Sequence, residues 1–369
     1  MPSKHSLSSP VIAELNLDAL RANLAKVRKL APGSKILAVI KADGYGHGLL
    51  RVARALTASD GFAVARVEEG IQLRRAGIAH RIVVLQGYTN QEEYQAHLTH
   101  RLEPVIHSLS QLDLLAGHPP QGLRPWLKLD TGMHRLGLSQ EAFDVALSHL
   151  AQCKPQVMTH LACADETRNP FTSRQLAVFE QIVRPLELPI SIANSAAILA
   201  WPRTHADWVR PGLMLYGISP FTGRTGTELG LQPVMTLKSR IIAIKSIPDG
   251  AAVGYGGAWT ARRPTRLGIV SAGYGDGYPR EITPGTQVLI GHDRVPVIAR
   301  VSMDMLTVDL TDFPGITEGR QVTLWGEDLP VEEIATRGGT IPYTLVCGVT
   351  PRVHRIETGT HYGTNESRL

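Results

Sequence analysis

The feature that most constrains this chain is a regular alternation of short apolar runs with helical patterns, which extends to about residue 217. The intervening segments, such as QEAFDVALSHLAQC and SRQLAVFEQIVRPL, repeat apolar residues every three or four positions and predict amphipathic helices. Eight such units within about 200 residues favour a closed (β/α)8 barrel, a TIM-type α/β fold, over an open doubly wound sheet. The eight predicted strands lie in KILAVIK, GFAVARV, RIVVLQG, LEPVIHS, PWLKLD, QVMTHL, PISIANS and DWVRPGLMLYG.

A helix is predicted ahead of the first barrel strand, in NLDALRANLAKVRKL, residues 16–30. Its leucine and valine side chains recur on one helical face, and Asn16 is placed to cap the first turn. This segment therefore predicts an amphipathic helix that packs its apolar face against a core.

The pattern changes after about Leu231, where helical periodicity fades and Val, Ile and Thr runs are joined by Gly and Asp turns. We therefore predict a barrel domain over residues 11–232 and a β-rich domain over residues 233–369. The predicted strands of the second domain lie in VMTLKSRIIAIKSI, RLGIVSAGYGDGY, TQVLIG, VPVIARVSMDMLTVDL and RQVTLWG.

Composition narrows the possible classes of function. Of 369 residues, 43% are apolar and 19% are charged, which is typical of a folded globular protein with a sizeable core. The net charge of +5 comes without a block of consecutive Lys or Arg, so no nucleic-acid surface is indicated. Three scattered cysteines predict neither disulfides nor a metal site and favour the reducing cytoplasm. We expect neither export nor membrane insertion, because no apolar run approaches about 18 residues.

Polar side chains follow five of the predicted barrel strands at the point where each ends. The carboxyl ends of the strands in such a barrel meet at one face, where reacting groups gather. We therefore expect these side chains to lie together: Lys41; Lys128, Asp130 and Arg135; His160; Asn194 and Ser195; and Arg210.

Each of these residues also has a purely structural explanation. Lys41 could be a surface lysine, His160 a satisfied core histidine, and the arginines partners in rim ion pairs; HLAC offers only a weak metal pair. Their placement at successive strand ends favours function. Clustered cations with Ser195 and the glycine of RPGL suggest an anionic ligand, and a lysine among cations can become a nucleophile towards carbonyls. Pyridoxal phosphate combines a phosphate with an aldehyde.

Ten motifs, taken in order, resemble those of the alanine racemase family. The resemblance runs from about Leu15 to Arg355 and implies a barrel followed by a β domain, with residues 11–15 forming a strand of the β domain. It also implies interconversion of L- and D-alanine, which supplies or consumes D-alanine for cell-wall peptidoglycan. The motifs are AVIKADGYGHG, KLDTGMHRLG, MTHLACADE, ANSAA, VRPGLMLYG, PVMTLKSRI, VGYGG, GYGDGYPR, RVSMDM and IPYTLVCGVTPRVHR.

The resemblance assigns two opposed bases. Lys41 matches the family lysine that forms a Schiff base with pyridoxal 5'-phosphate and takes the α-proton of D-alanine, and Tyr255 matches the base for L-alanine. Racemisation removes a proton from one face of a planar carbanion and returns one to the other, so two bases suit it. Arg210 matches the arginine facing the pyridine nitrogen, which keeps that nitrogen unprotonated. His160 matches the residue that hydrogen-bonds towards that arginine.

The remaining assignments also come from the resemblance. Arg135 and the Met303 backbone would hold the substrate carboxylate, Arg135 would contact the cofactor, and Lys128 stands where many members carry a carbamylated lysine. No metal is implied. Ser302 stands where cysteine is common in the family. Further phosphate or cofactor contacts match Tyr45, Ser195, Gly212, Leu213 and Tyr343, and entry-channel residues match Asp165, Tyr274, Arg280, Arg300 and Ile341.

The resemblance implies a homodimer whose partner supplies Tyr255 and Met303. Three rivals stay open at this point. A barrel decarboxylase for a basic amino acid shares the two-domain layout but usually grips the distal amine with a partner cysteine or aspartate. A racemase for serine would differ in only a few pocket contacts. A pyridoxal-phosphate carrier can keep the barrel and its lysine but typically lacks the β domain.

Overall fold

The structure is a computed structural model, and it describes residues 9–115 and 122–359. The chain divides into two compact units. One comprises Leu20–Leu215 with Ser219–Thr222, and the other comprises the chain up to Ala19, Tyr216–Ile218 and the chain from Gly223 onward. Residues 360–369 of the predicted β domain lie outside the described residues.

The elements are numbered in chain order. The strands are β1 (Ile12–Asn16), β2 (Lys35–Val39), β3 (Gly61–Val64), β4 (Arg81–Val84), β5 (Glu103–Ile106), β6 (Trp126–Lys128), β7 (Gln156–Met158), β8 (Ile190–Ser191), β9 (Trp208–Val209), β10 (Met235–Ile247), β11 (Ala252–Val253), β12 (Trp259–Thr260), β13 (Thr265–Val270), β14 (Gln287–Ile290), β15 (Asp293–Ile298), β16 (Leu306–Asp309), β17 (Gln321–Trp325) and β18 (His354–Thr358). The helices are α1 (Leu17–Leu30), α2 (Lys41–Tyr45), α3 (Leu49–Ala55), α4 (Val67–Arg75), α5 (Gln91–Thr99), α6 (Ser110–Asp113), α7 (Gln140–Leu150), α8 (Phe171–Val183), α9 (Ser195–Ala200), α10 (Val331–Arg337) and α11 (Pro342–Gly348).

Strands β2 to β9 close into a parallel barrel in sequence order, with β9 pairing back onto β2. Each of the eight predicted runs contains one of these strands, so the predicted barrel is confirmed. All four residues of β3 are buried, as are all four of β5, because helices cover the outside while side chains fill the inside. The strands are shorter than the apolar runs that predict them, since each run continues into its following loop.

Helix α1 begins at Leu17, as the sequence predicts. The Asn16 side chain accepts a hydrogen bond from the Ala19 amide at 3.0 Å, which satisfies one of the open donors of the first turn. Leu20 and Val27 are fully buried, whereas Leu30 at the last turn is exposed.

An eight-stranded sheet dominates the other unit, in the order β13-β16-β15-β14-β17-β10-β1-β18, with β13 also paired to β10. The short strand β1 lies between β10, to which it is antiparallel, and β18, to which it is parallel. Ile12 faces Lys238 in this register, and Lys238 Nζ reaches Glu14 at 2.6 Å.

Two expectations for the C-terminal region are wrong in detail. Residues 295–310 do not form one strand, because β15 ends at Ile298 and the chain turns at Ala299, whose φ is +58°, before β16 begins at Leu306. Helical structure also does not disappear, since α10 and α11 follow β17. Each has only seven residues, too few to show a clear period in the sequence.

Among residues 9–115 and 122–359, no helix combines the length and the apolar character needed to cross a membrane. The three cysteines are free thiols.

Candidate active site

Lys41 opens a turn of left-handed helix that directly follows the first barrel strand. Ala42, Asp43, Gly44 and Tyr45 all have φ between +52° and +61°. An L-residue with a side chain adopts this conformation at a cost of about 1–2 kcal/mol, so three non-glycine residues among four consecutive positions need strong local support. This turn connects Lys41 to the buried Tyr45.

Two carboxylates support this turn. Asp43 Oδ1 accepts a hydrogen bond from the Leu49 amide at 2.8 Å, and Glu69 Oε1 accepts one from the Ala42 amide at 2.7 Å. The other Glu69 oxygen accepts from the Ala65 amide at 2.8 Å, which links the loop after β2 to the loop after β3. The position of Lys41 is therefore fixed by neighbouring strand ends rather than by its own strand alone.

Arg210 follows β9 and is only 5% exposed. Its guanidinium donates to Ser191 Oγ at 2.7 Å, to the Thr159 carbonyl at 2.6 Å and to the Ile192 carbonyl at 3.2 Å. None of its hydrogen bonds within the described chain goes to a carboxylate. Burial lowers the pKa of Arg210 to about 10, so the side chain still carries its charge at neutral pH.

His160, at the end of β7, lies against this arginine, with 3.3 Å between Nδ1 and Arg210 Nη2. Its pKa lies well below the ordinary value because of burial and because of four nearby cations, which are Arg210, Lys128, Arg135 and Lys41. His160 is therefore neutral at physiological pH. The same interactions show that the four predicted cations meet around one histidine.

Lys128, the last residue of β6, shares this environment. Burial, followed by the charges of Arg210, Arg135 and Lys41, lowers its pKa to about 8. The opposing contribution of Asp130 is smaller, because that carboxylate is turned to the following loop, where it accepts hydrogen bonds from the Gly132 and His134 amides. The charge of Asp130 therefore offsets only part of the lowering of the Lys128 pKa.

A buried hydrogen-bond network supports His160 and Arg210, and its residues are not among those predicted from the sequence. Gln175 on α8 is 1% exposed; its amide donates to the His160 carbonyl at 3.1 Å and to Thr131 Oγ1 at 3.2 Å, and accepts from the Ala162 amide at 2.9 Å. Thr131 and Thr159 are joined through their hydroxyls at 2.8 Å. The one sequence signal for this network is the position of Gln175, a polar residue on the apolar face of a predicted helix.

A small polar cradle lies between the ends of β2, β8 and β9. Ser195 Oγ accepts hydrogen bonds from the Gly212 amide at 2.9 Å and the Met214 amide at 3.3 Å. A Cβ atom at Gly212 would lie 2.5 Å from the Tyr45 hydroxyl oxygen, so only glycine permits this close approach. Tyr45, Ser195, Gly212 and Leu213 are all buried, and the structure brings them together as the sequence predicts.

The other predicted barrel residues are more accessible. Arg135 is exposed in the loop after β6, and Asp165 is exposed in the loop after β7. Arg135 nevertheless lies close enough to act on the pKa of both Lys128 and His160.

The remaining predicted residues lie in the unit that contains the eight-stranded sheet. Tyr255 is 71% exposed at the turn between β11 and β12, where Gly254 and Gly256 both have positive φ. A Cβ at Gly254 would lie 3.0 Å from Ala299 Cβ, which places this turn beside the start of the β15–β16 loop. That loop carries Arg300 and Met303.

Met303 is tied to the loop after β13. Its carbonyl accepts from the Gly275 amide at 2.8 Å, and the preceding Ser302 carbonyl accepts from the Tyr274 amide at 3.1 Å. Arg352 reinforces the junction through Asp276 at 2.7 Å and Asp304 at 2.8 Å. The side chains of this region are exposed, including Tyr274, Met303, Ile341, Tyr343, Arg280 and Arg300.

No group of three or more His, Cys, Asp or Glu side chains within the described ranges could hold a metal ion. The site within the barrel is instead rich in cations, with a neutral histidine and a hydroxyl-lined cradle, as suits an anionic organic ligand.

Comparison with known proteins places this geometry in a family. The sequence profile of the alanine racemase N-terminal domain matches residues 15–220, and that of the C-terminal domain matches residues 234–357. The chain belongs to the alanine racemase family. It is 49% identical to an alanine racemase from Chromohalobacter salexigens, covering 95% of this chain and 98% of the relative. It is also 49% identical to an alanine racemase from Nitrosomonas europaea, covering 95% of this chain and 99% of that relative.

Solved structures agree with this assignment. A biosynthetic alanine racemase from Pseudomonas aeruginosa matches with a TM-score of 0.91 at 41% identity, over 95% of this chain and 100% of that one. An alanine racemase from Bartonella henselae with covalently bound pyridoxal phosphate matches with a TM-score of 0.86 at 28% identity, over 94% and 99%.

Proposed function

We propose that this member of the family interconverts L- and D-alanine with pyridoxal 5'-phosphate as its cofactor. The observation that carries the proposal is the meeting of Lys41, Lys128, Arg135 and Arg210 around His160, whose pKa reflects all four charges. A site with this excess of positive charge favours ligands that bring several negative charges, and a phosphate ester bound together with a substrate carboxylate provides them.

The residues present fit the cofactor. The cradle of Tyr45, Ser195 and Gly212 offers hydroxyl and backbone donors of the kind that bind a phosphate dianion, and its shape depends on the missing Cβ of Gly212. Leu213, which opens the following 3₁₀ turn, is the next backbone donor, and we assign Tyr343 a further hydroxyl contact. When bound, the cofactor withdraws electrons from the substrate α-carbon and so acidifies its α-proton.

Lys41 and Tyr255 are the residues we assign to proton transfer, Lys41 for D-alanine and Tyr255 for L-alanine. Lys41 lies close enough to Lys128 and His160 for its charge to lower the pKa of both, which places it within the cationic site. The strained turn at residues 42–45 limits how far the backbone of Lys41 can shift. A fixed backbone suits a base that must take a proton from, and return a proton to, the same substrate carbon.

Arg210 serves the opposite purpose, because it must not exchange protons. It remains charged even with its pKa lowered to about 10, and its hydrogen bonds hold the guanidinium in one orientation. Facing the pyridine nitrogen, it would keep that nitrogen unprotonated and limit the lifetime of the carbanion. Neutral His160 gives Arg210 a partner without adding charge.

Arg135 and the backbone amide of Met303 are assigned to the substrate carboxylate. Lys128, with its pKa near 8, is the lysine in this cluster for which carbamylation is proposed, because the neutral amine is the form that reacts with carbon dioxide. A carbamate would bring a negative charge among Arg135 and Arg210. Asp165, Tyr274, Arg280, Arg300 and Ile341 are proposed to line the entry.

A homodimer is part of the proposal. Apolar and aromatic side chains of the sheet-containing unit are exposed far beyond what an isolated surface favours, with Tyr255 at 71%, Met303 at 54% and Ile341 at 57%. A second copy of the chain that covers these residues would bring Tyr255 and Met303 to its neighbour's barrel.

The proposal is tested by incubating the cofactor-loaded protein separately with L-alanine, L-serine and L-lysine and measuring both handedness and carbon dioxide release. Racemisation of alanine well ahead of serine supports it. Faster racemisation of serine than of alanine would identify serine as the preferred substrate. Release of carbon dioxide from lysine would show that the protein is a decarboxylase and not a racemase. Lys41→Ala, which removes the proposed base, is the matched control.

A further inference from the structure

A second polar pocket lies at the opposite end of the barrel, at the amino ends of its strands. Its volume is about 460 Å³, within the range of small-ligand sites. Lys35, Arg81, Gln156 and Trp208, which line it, are the first residues of β2, β4, β7 and β9. Lys41 follows the carboxyl end of β2, so the length of the strand separates this pocket from the site described above. We call it the base pocket, because it lies at the base of the barrel, at the amino ends of the strands.

The base pocket is strongly cationic. Lys35, Arg81, Arg124 and Lys154 all line it. Of the described residues in its wall, Asp207 alone carries a carboxylate, and one oxygen of that group already accepts a hydrogen bond from the Ile190 amide at 2.8 Å. Like charges gathered in one concavity repel each other, and an anion bound among them relieves that repulsion.

Arg81 is held rigidly in this wall. Two of its nitrogens donate to the two oxygens of Glu103 at 2.7 and 2.6 Å, and its guanidinium carbon lies 4.8 Å from the centre of the Trp208 ring. Glu103 is itself fixed by the Trp126 indole at 2.9 Å. The remaining nitrogen, Nη1, donates to no described residue. A cation that is already oriented binds an anion without a further loss of side-chain entropy.

Gln156 provides an observation that does not depend on charge. It is 7% exposed and lines the base pocket, yet its side-chain amide makes no hydrogen bond with any residue that the structure describes. The two N–H donors and the carbonyl oxygen of this amide are therefore available to a ligand in the pocket. An oxyanion in the base pocket would accept from this amide.

We propose that the base pocket binds a small dianionic oxyanion, either a phosphate ester or a dicarboxylate. With Arg81 neutralised by Glu103, three flexible cations stand against the single carboxylate of Asp207, which leaves an excess of two positive charges for the ligand to balance. This inference is independent of the alanine chemistry, since no residue is shared between the two sites.

The test uses the cofactor-loaded protein labelled with 5-fluorotryptophan. The chain has five tryptophans, and the Trp208 fluorine resonance is assigned by its loss in Trp208→Phe. Inorganic phosphate and succinate are titrated separately at constant ionic strength, with chloride as the reference salt. A saturable shift of the Trp208 resonance with both anions, or with either one alone, supports the site and distinguishes the two ligand sources. Absence of a saturable shift with both overturns it.

Variants connect the shift to the proposed residues. Gln156→Glu keeps the side-chain shape but places a negative charge in the base pocket, and Arg124→Ala with Lys154→Ala removes two exposed cations. Each change should weaken binding about tenfold or more, as expected when charge-assisted hydrogen bonds are lost. Lys29→Ala with Arg54→Ala removes the same charge elsewhere on the barrel and should leave the affinity unchanged. Equal affinity in the Arg124/Lys154 double variant and the wild type would overturn the proposal.

Discussion

The His160 Nδ1 atom lies 3.3 Å from Arg210 Nη2, so a neutral histidine is packed against a buried, charged arginine. The guanidinium is held in place because Nη1 donates to the Ser191 hydroxyl and Nη2 also donates to the Thr159 and Ile192 carbonyls. The consequence is a fixed positive charge that neither gives up its proton nor pairs with a described carboxylate.

Gln175 should act as a positioning residue for His160 and Arg210. Gln175→Leu removes the partner of the His160 carbonyl, the Thr131 hydroxyl and the Ala162 amide, so we expect a loss of about 2–4 kcal/mol in the free energy of unfolding. Turnover should fall about tenfold or more with little change in KM, because the arginine is displaced rather than removed. Denaturant unfolding and steady-state kinetics measure both effects. Gln72→Leu on the exposed face of α4 is the control, and equal effects of the two substitutions would contradict the prediction.

Gly212→Ala should weaken cofactor binding through a single steric contact. The new Cβ would lie 2.5 Å from the Tyr45 hydroxyl oxygen, and the displaced tyrosine would open the cradle. We expect the cofactor dissociation constant, followed by absorbance, to rise about tenfold or more. In a Tyr45→Phe background the same substitution should cost less, since the clashing oxygen is gone. An undiminished cost in that background would show that the cradle is not closed by Tyr45.

The amine of Lys128 should become reactive near pH 8 in the cofactor-free protein. Acylation by acetic anhydride followed by peptide mapping should show a half-point of about 8, the pKa that burial and the neighbouring cations produce. Arg135→Gln should move the half-point upward and Asp130→Asn downward, because these charges act with opposite sign. A half-point that is unchanged by both substitutions would show that these neighbouring charges do not set the pKa of Lys128.

The same pKa predicts how stability depends on pH. Lys128 has a pKa of about 8 when folded against an ordinary value of 10.5, so between these values the unfolded chain binds more protons than the folded one. The free energy of unfolding should therefore gain a contribution from Lys128 as pH rises through this window. Lys128→Met should lack that contribution, as denaturant unfolding of both proteins at pH 8 and pH 10 would reveal.

Mixing two inactive variants tests the shared site. Lys41→Ala and Tyr255→Phe each remove one proposed base, but a mixed dimer would contain one barrel with Lys41 intact, facing a partner with Tyr255 intact. Random mixing after reversible dissociation should therefore restore about one quarter of wild-type activity per chain. If recovery is absent although mixed dimers form, each site is built from one chain.

The barrel could be predicted because each strand is an apolar run that the hydrophobic effect buries on both faces, and the pattern repeats eight times. The strand-end rule likewise predicted that Lys41, Lys128, His160 and Arg210 would meet. The left-handed turn after Lys41 was not predicted, because Ala42 and Asp43 carry no local signal for positive φ; contacts from Glu69, distant in sequence, impose it.

Other features stayed hidden for similar reasons. The base pocket gathers residues from four separate strand starts, and Gln156 differs from an ordinary strand residue only in lacking a partner. The split between β15 and β16 begins at the positive φ of Ala299, in a segment whose alternation of apolar and polar residues continues through the turn as it would in a strand. In each case the decisive contact joins segments far apart in the chain.

Alanine racemisation by this protein is tested most directly by proton NMR of L-alanine in D2O with the cofactor-loaded protein, together with a chiral assay of the same sample. We expect the α-proton signal to disappear while D-alanine approaches an equal share. Retention of both the α-proton and the L configuration, with the cofactor bound, would contradict it.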